Sequence, residues 1–257
     1  MAKPLFVQSS DGARIAYDVT GSGPTLILLH GAGKERGDWH KLGYVERLQQ
    51  YFSVIAIDLR GSGESSLMAD IEDYAIERVV ADLHTVADAC HVSQFAVWGY
   101  SLGGTIARYL GAWSKRVTAV AMIGAPFGPA VDDAFDQFIT EFLAKWGSQE
   151  EAYRTGALRA EKRQSAIKGR IPALAACFQA MRKWPDVSPG DMQCPTLLLA
   201  GSKNKSAIQW IEANQDALDA GKVKVEIVTG LNHPQEFSQI ERVFPPVYSF
   251  FRNVHGI

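Results

Sequence analysis

The chain has 257 residues, with 26 Lys and Arg against 28 Asp and Glu, a formal net charge of −2 and a 47% hydrophobic fraction. That length buries a sizeable core and no compositional shift divides it, so one domain carrying an insertion is expected. Basic residues are scattered rather than striped, which argues against nucleic acid or an anionic membrane as partner.

Met1 to Asp18 is polar and interrupted, without a charged segment followed by an apolar one, and no apolar run approaches membrane-spanning length. A cytoplasmic location is the expectation. Turn signals at Asp11-Gly12 and Gly21-Ser22-Gly23-Pro24 separate short early strands without helices. Runs rich in β-branched and aliphatic residues then recur at Ile15–Val19, Thr25–Leu29, Val54–Ile57, Phe95–Val97, Val117–Ile123, Thr196–Ala200 and Val223–Val228. Helical patterns at Asp73–Cys90, Thr105–Trp113, Ala207–Leu218 and Pro234–Phe251 alternate with the later strands, as βαβ units require. The expected class is therefore α/β, with a mostly parallel sheet covered on both faces. Gly128 to Asp191 breaks the alternation: it lacks a strand pattern and places Phe135, Phe138, Ile139, Phe142, Leu143 and Trp146 at helical spacing. The predicted organisation is a core of residues 1–127 and 192–257 with a helical cap insertion at 128–191. Cys90, Cys177 and Cys194 are odd in number and far apart, which suits buried thiols rather than disulfides or a zinc site.

Phe95-Ala96-Val97-Trp98-Gly99-Tyr100-Ser101-Leu102-Gly103-Gly104 is an apolar strand that breaks at Gly-x-Ser-x-Gly and continues as a helix. Such a turn lifts the Ser101 hydroxyl into open space, where it can attack a carbonyl; the plain alternative is a serine capping the next helix. A serine nucleophile needs a base close in space. His233 follows the strand Val223–Val228 and so sits at the C-terminal edge of the sheet, where ligands gather in open α/β folds. Its alternative is a loop histidine at the start of the helix beginning at Pro234. Backbone N–H groups of Ala32, in the glycine-rich turn after Leu28-Leu29-His30, and of Leu102 are the candidate oxyanion donors.

These motifs resemble the α/β-hydrolase fold superfamily, in its serine esterase, lactonase and carbon–carbon hydrolase branch. The resemblance spans nearly the whole chain and rests on His30-Gly31 with Trp39, on Asp58-Leu59-Arg60-Gly61-Ser62-Gly63-Glu64-Ser65, on Gly99 to Gly104, and on Asn232-His233. It implies an α/β-hydrolase sheet flanked by helices, with nucleophile, cap, acid and histidine in that order. Serine at the elbow argues against the dehalogenase and epoxide hydrolase branches. One position departs from the pattern. The loop after Thr196–Ala200, where relatives carry the acid, reads Gly201-Ser202-Lys203-Asn204-Lys205-Ser206 without a carboxylate, so by resemblance the acid slot falls on Asn204. The alternative slot, Gly124-Ala125-Pro126, also lacks an acid; Asp132 or Asp133 would serve only if the chain turned back.

The expected function is a serine hydrolase that cleaves an ester, lactone or related acyl bond of a small, partly apolar molecule, with no metal or cofactor required. The alternatives are a hydrolase-fold ligand-binding protein with an incomplete triad, and a dinucleotide-dependent oxidoreductase. The latter is suggested by Gly31-Ala32-Gly33 followed by Asp58, although the spacing misses the dinucleotide fingerprint.

Overall fold

The computed structural model describes residues 3–154 and 170–257, with side chains throughout except at 146–154. β1 (Leu5–Gln8) and β2 (Arg14–Thr20) lead into β3 (Thr25–Leu29); α1 (Arg36–Lys41) and α2 (Tyr44–Leu48) precede β4 (Ser53–Ile57). Then follow α3 (Ile76–Ala89), β5 (Phe95–Tyr100), α4 (Leu102–Trp113), β6 (Val117–Ile123), α5 (Asp133–Arg154) and α6 (Arg170–Met181). The chain ends with β7 (Thr196–Gly201), α7 (Lys205–Ala213), α8 (Gln215–Ala220), β8 (Val223–Val228), α9 (Gln235–Ser238) and α10 (Ile240–His255).

The strands form an eight-stranded sheet in the order β1-β2-β4-β3-β5-β6-β7-β8, antiparallel at β1–β2 and β2–β4 and parallel from β4 onward. All six residues of β5 are buried, as a strand covered on both faces demands. Alternation sends Phe95 and Val97 into one core layer with α3 and α4, and Ala96, Trp98 and Tyr100 into the other with α2 and α10. The sheet is the mostly parallel α/β sheet that the sequence predicts, flanked by helices on both faces.

Three local differences have physical causes. β1 is absent from the expected strands: it is a four-residue edge strand with three residues exposed, and within the sheet it pairs only with β2. The helical pattern at Ala207–Leu218 divides into α7 and α8 at Asn214, whose backbone leaves the helical region. That at Pro234–Phe251 divides into α9 and α10 at Gln239.

Between β6 and β7, a bridge pairing Gly128 with Val187 draws together the two ends of the segment that carries α5 and α6. Ile139 is fully buried, while Phe135, Phe138 and Phe142 each pack edge-on against Phe178 of α6 at 5.3–6.1 Å. Residues 155–169 of the expected cap, and the side chain of Trp146, lie outside the described residues.

Candidate active site

Ser101 takes φ +52° and ψ −118°, a region that costs a non-glycine residue about 1–3 kcal/mol. Packing enforces it. A Cβ at Gly99 would lie 2.1 Å from Gly103 O, and one at Gly103 would lie 2.1 Å from Leu29 O, so β3, β5 and α4 meet through hydrogen-only contacts. The Ser101 N–H donates to Ile123 O at 2.8 Å, and Ser101 O accepts from Thr105 N–H at 2.9 Å, which ties the elbow to β6 and to the first turn of α4.

His233, in the loop between β8 and α9, brings Nε2 to 2.9 Å from Ser101 Oγ. Its ring stacks on Tyr100 at 5.2 Å between centroids, and the Tyr100 hydroxyl donates to His233 O at 3.0 Å. Both faces of the placement are thus fixed, ring by stacking and backbone by a hydrogen bond.

The group at His233 Nδ1 is the carboxylate of Glu236, with Oε2 2.8 Å away and the side chain fully buried. Glu236 Oε1 also accepts from Gly201 N–H at 2.6 Å, and Asn204 Nδ2 donates to both carboxylate oxygens at 3.0 and 3.1 Å. Both oxygens of this buried carboxylate therefore have hydrogen-bond partners. Its charge, after burial itself, helps hold the Tyr100 phenol above its usual range.

This corrects the expectation at Asn204. Its Oδ1 is spent capping α7 through Ala207 N–H at 3.4 Å, which turns Nδ2 toward Glu236 and the imidazole. A donor 3.3 Å from His233 Nδ1 cannot accept the imidazole proton. The two aspartates do not reach His233 either. Asp132 accepts from Phe135 N–H at 2.7 Å and from the Ser206 hydroxyl, and Asp133 is exposed at the start of α5. The other proposed slot is closed for a steric reason: a Cβ at Gly124 would lie 2.2 Å from Glu236 Oε2 and 2.7 Å from His233 Nδ1.

Ala32 and Leu102 line the same cavity as Ser101, and no backbone hydrogen bond from either N–H is seen among the described residues. The Ala32 turn is braced from below. His30 Nε2 accepts from Leu59 N–H at 3.1 Å, which leaves Nδ1 to donate to Gly31 O at 2.8 Å. Asp58, which would be the ribose-binding acid of a dinucleotide site, is fully buried and accepts from Arg36 N–H and Glu64 N–H at 2.7 and 2.9 Å. Burial opposes the Arg36 charge, but Glu64 and Asp58 outweigh it and hold the guanidinium above its ordinary value.

A cavity of about 580 Å³ opens over Ser101 and His233, and Phe135, Phe138, Phe142 and Phe178 form its apolar side. Glu236 is the functional candidate that sequence reasoning misses. The signal was present, since a glutamate three residues after His233 at the start of a helix faces the same side.

Comparison with known proteins bears on the fold. Residues 24–165 match the family model described as alpha/beta hydrolase fold. A 126-residue stretch, 49% of this chain, is 32% identical to bifunctional epoxide hydrolase 2 of Sus scrofa, but covers only 22% of that protein's length. Two solved structures under 25% identity share the fold. One is a thermophilic esterase from Thermogutta terrifontis (TM-score 0.76, 21% identity, covering 99% of this chain and 100% of that one). The other is the enol-lactonase from Burkholderia xenovorans LB400 (TM-score 0.70, 19% identity, 96% and 99%). The chain belongs to the α/β-hydrolase fold family.

Proposed function

We propose that this protein is a serine hydrolase cleaving an ester, lactone or related acyl bond of a small, partly apolar molecule through an acyl-enzyme. The observation that carries the reading is the unbroken run Ser101 Oγ, His233 imidazole, Glu236 carboxylate, with contacts of 2.9 and 2.8 Å. In the first step His233 Nε2 takes the Ser101 proton as Oγ attacks the carbonyl carbon, and the developing oxyanion sits between Ala32 N–H and Leu102 N–H. Glu236 receives the Nδ1 proton of the imidazolium in a hydrogen bond and stabilises its charge without taking the proton. The imidazolium then protonates the leaving alcohol, and water, deprotonated by the same nitrogen, releases the acid.

The helices within 128–191 act in this reading as a cap whose phenylalanines give the substrate its apolar surroundings. The ligand-binding alternative rested on an incomplete triad, and Glu236 removes that reason. Epoxide opening by an elbow aspartate is not proposed, because the elbow residue is Ser101. The test is turnover of a panel of short-chain and aryl esters and lactones: wild type should hydrolyse members of the panel and Ser101→Ala should not. Equal rates in the two proteins would refute the role of Ser101.

A further inference from the structure

β8 closes the sheet on one side, and its outer edge is open. Val228 O accepts from Ser202 N–H on the β7 side at 3.0 Å, so the alternation along a strand turns the N–H and C=O groups of Val223, Val225 and Ile227 outward. β8 is last in the strand order, and no turn or loop backbone hydrogen bond reaches these three residues among the described residues. Ile227 is 45% exposed and Val225 is half-buried. An edge of this kind is a template for a further strand.

The side chains between those three carry opposite charges. Lys224 and Glu226 lie two residues apart, so they share a face of the sheet on either side of Val225. Lys224 is exposed, Glu226 is half-buried, and neither has an ion-pair or hydrogen-bond partner among the described residues. The pattern is complementary to itself. In an antiparallel pairing of two β8 strands about a twofold axis through Val225, Lys224 lies directly opposite Glu226 of the second copy, and Glu226 opposite its Lys224. These are the non-hydrogen-bonded positions, where side chains across an antiparallel pair approach most closely. Val223 then faces Ile227, and Val225 faces its own copy, as hydrogen-bonded pairs that use the outward backbone groups. Moving the axis by one residue sets Lys224 against Lys224 or Glu226 against Glu226, so like charges disfavour the neighbouring registers. The opposite edge of the sheet carries no such code: β1 has no charged residue, and Arg14 of β2 lies over Phe6 at 4.4 Å.

We propose that the outer edge of β8 is a docking surface for a second copy of this chain, and that two molecules join their sheets edge to edge in a twofold dimer with Val225 on the axis. Such an interface presents the same strand from both copies and therefore closes at two. It is independent of the chemistry proposed at Ser101.

The test is sedimentation of the full chain over a wide concentration range. A pairing of six-residue edges falls short of a standard interface, so a dissociation constant on the order of 10–100 μM is expected for wild type. Lys224→Glu and Glu226→Lys each set like charges opposite one another at both ends of the pairing, and each alone should weaken association roughly tenfold or more. Mixed in equal amounts, the two variants regain both opposite-charge pairs in the mixed dimer and should associate as wild type does. A wild type that stays monomeric up to about 500 μM would overturn the proposal. Single variants that dimerise as wild type does, or a mixture no more associated than its components, would overturn it as well. Hydrogen exchange on wild type needs no variant to fold: the amides of Val223, Val225 and Ile227 should exchange more slowly at about 500 μM than at about 5 μM. Unchanged exchange at those three amides would equally contradict the assignment.

Discussion

Asn204 and Glu236 divide between them what a single aspartate would do after β7. Asn204 occupies the loop position from which an acid would face His233, yet its amide serves as a donor, and the negative charge arrives from Glu236 on the far side of the imidazole's own loop. Introducing a carboxylate at position 204 would set two like charges about 3 Å apart in a buried site, where one of them must hold a proton. Asn204→Asp is therefore expected to leave kcat unchanged or lower it on a good ester. A rise in kcat would mean that position 204, and not Glu236, is where the acid is needed.

Much of the site is legible in the sequence at this scale. Ser101 and His233 announce themselves because a Gly-x-Ser-x-Gly turn between strand and helix and a histidine after the last strand are local patterns. Glu236 does not, because expectation looked for an acid after β7 or β6, while the actual carboxylate enters three residues after the histidine and is identified only by its burial beside Gly201 and Asn204.

At the scale of elements, the loop leaving β6 decides whether the three groups can meet. Gly124, at φ +66°, is both conformationally demanding and a gap into which the Glu236 carboxylate and the His233 ring fit. Gly124→Ala places a methyl group where Glu236 Oε2 and His233 Nδ1 now sit, so it should displace the imidazole by on the order of 1 Å and lower kcat by roughly a hundredfold. The measurement is kcat beside a melting curve: normal kcat in the folded variant would contradict the packing argument. The strands and their order follow from apolar runs that alternate with helical patterns. By contrast, β1 and the helix breaks at Asn214 and Gln239 depend on pairing and backbone geometry that no hydrophobic pattern records.

At the scale of the whole molecule, one buried and two half-buried histidines link stability to pH. Burial holds the imidazoles of His30, His84 and His255 below their ordinary value of 6.5. In the unfolded chain these groups take up protons first as pH falls, so the stability present above about 6.5 is lost progressively below it. Denaturant midpoints measured at about pH 7.5 and about pH 5.5 should be lower at the acid pH, and an equal or higher midpoint there would contradict this. Among the described residues no helix is long and apolar enough to cross a membrane.

The central claim is that Glu236 completes a charge-stabilised Ser101–His233 pair. Its most direct measurement is the second-order rate at which a fluorophosphonate modifies Ser101, read by intact mass and peptide mapping in wild type and in Glu236→Gln. Neutralising the acid of a serine–histidine–carboxylate site costs roughly ten-thousandfold in serine proteases, because the histidine is left in the wrong tautomer and its charged form without a partner. A fall of several orders of magnitude, with the adduct still confined to Ser101, is the predicted result. Equal labelling rates in the two folded proteins, or an adduct on a different serine, would contradict the account.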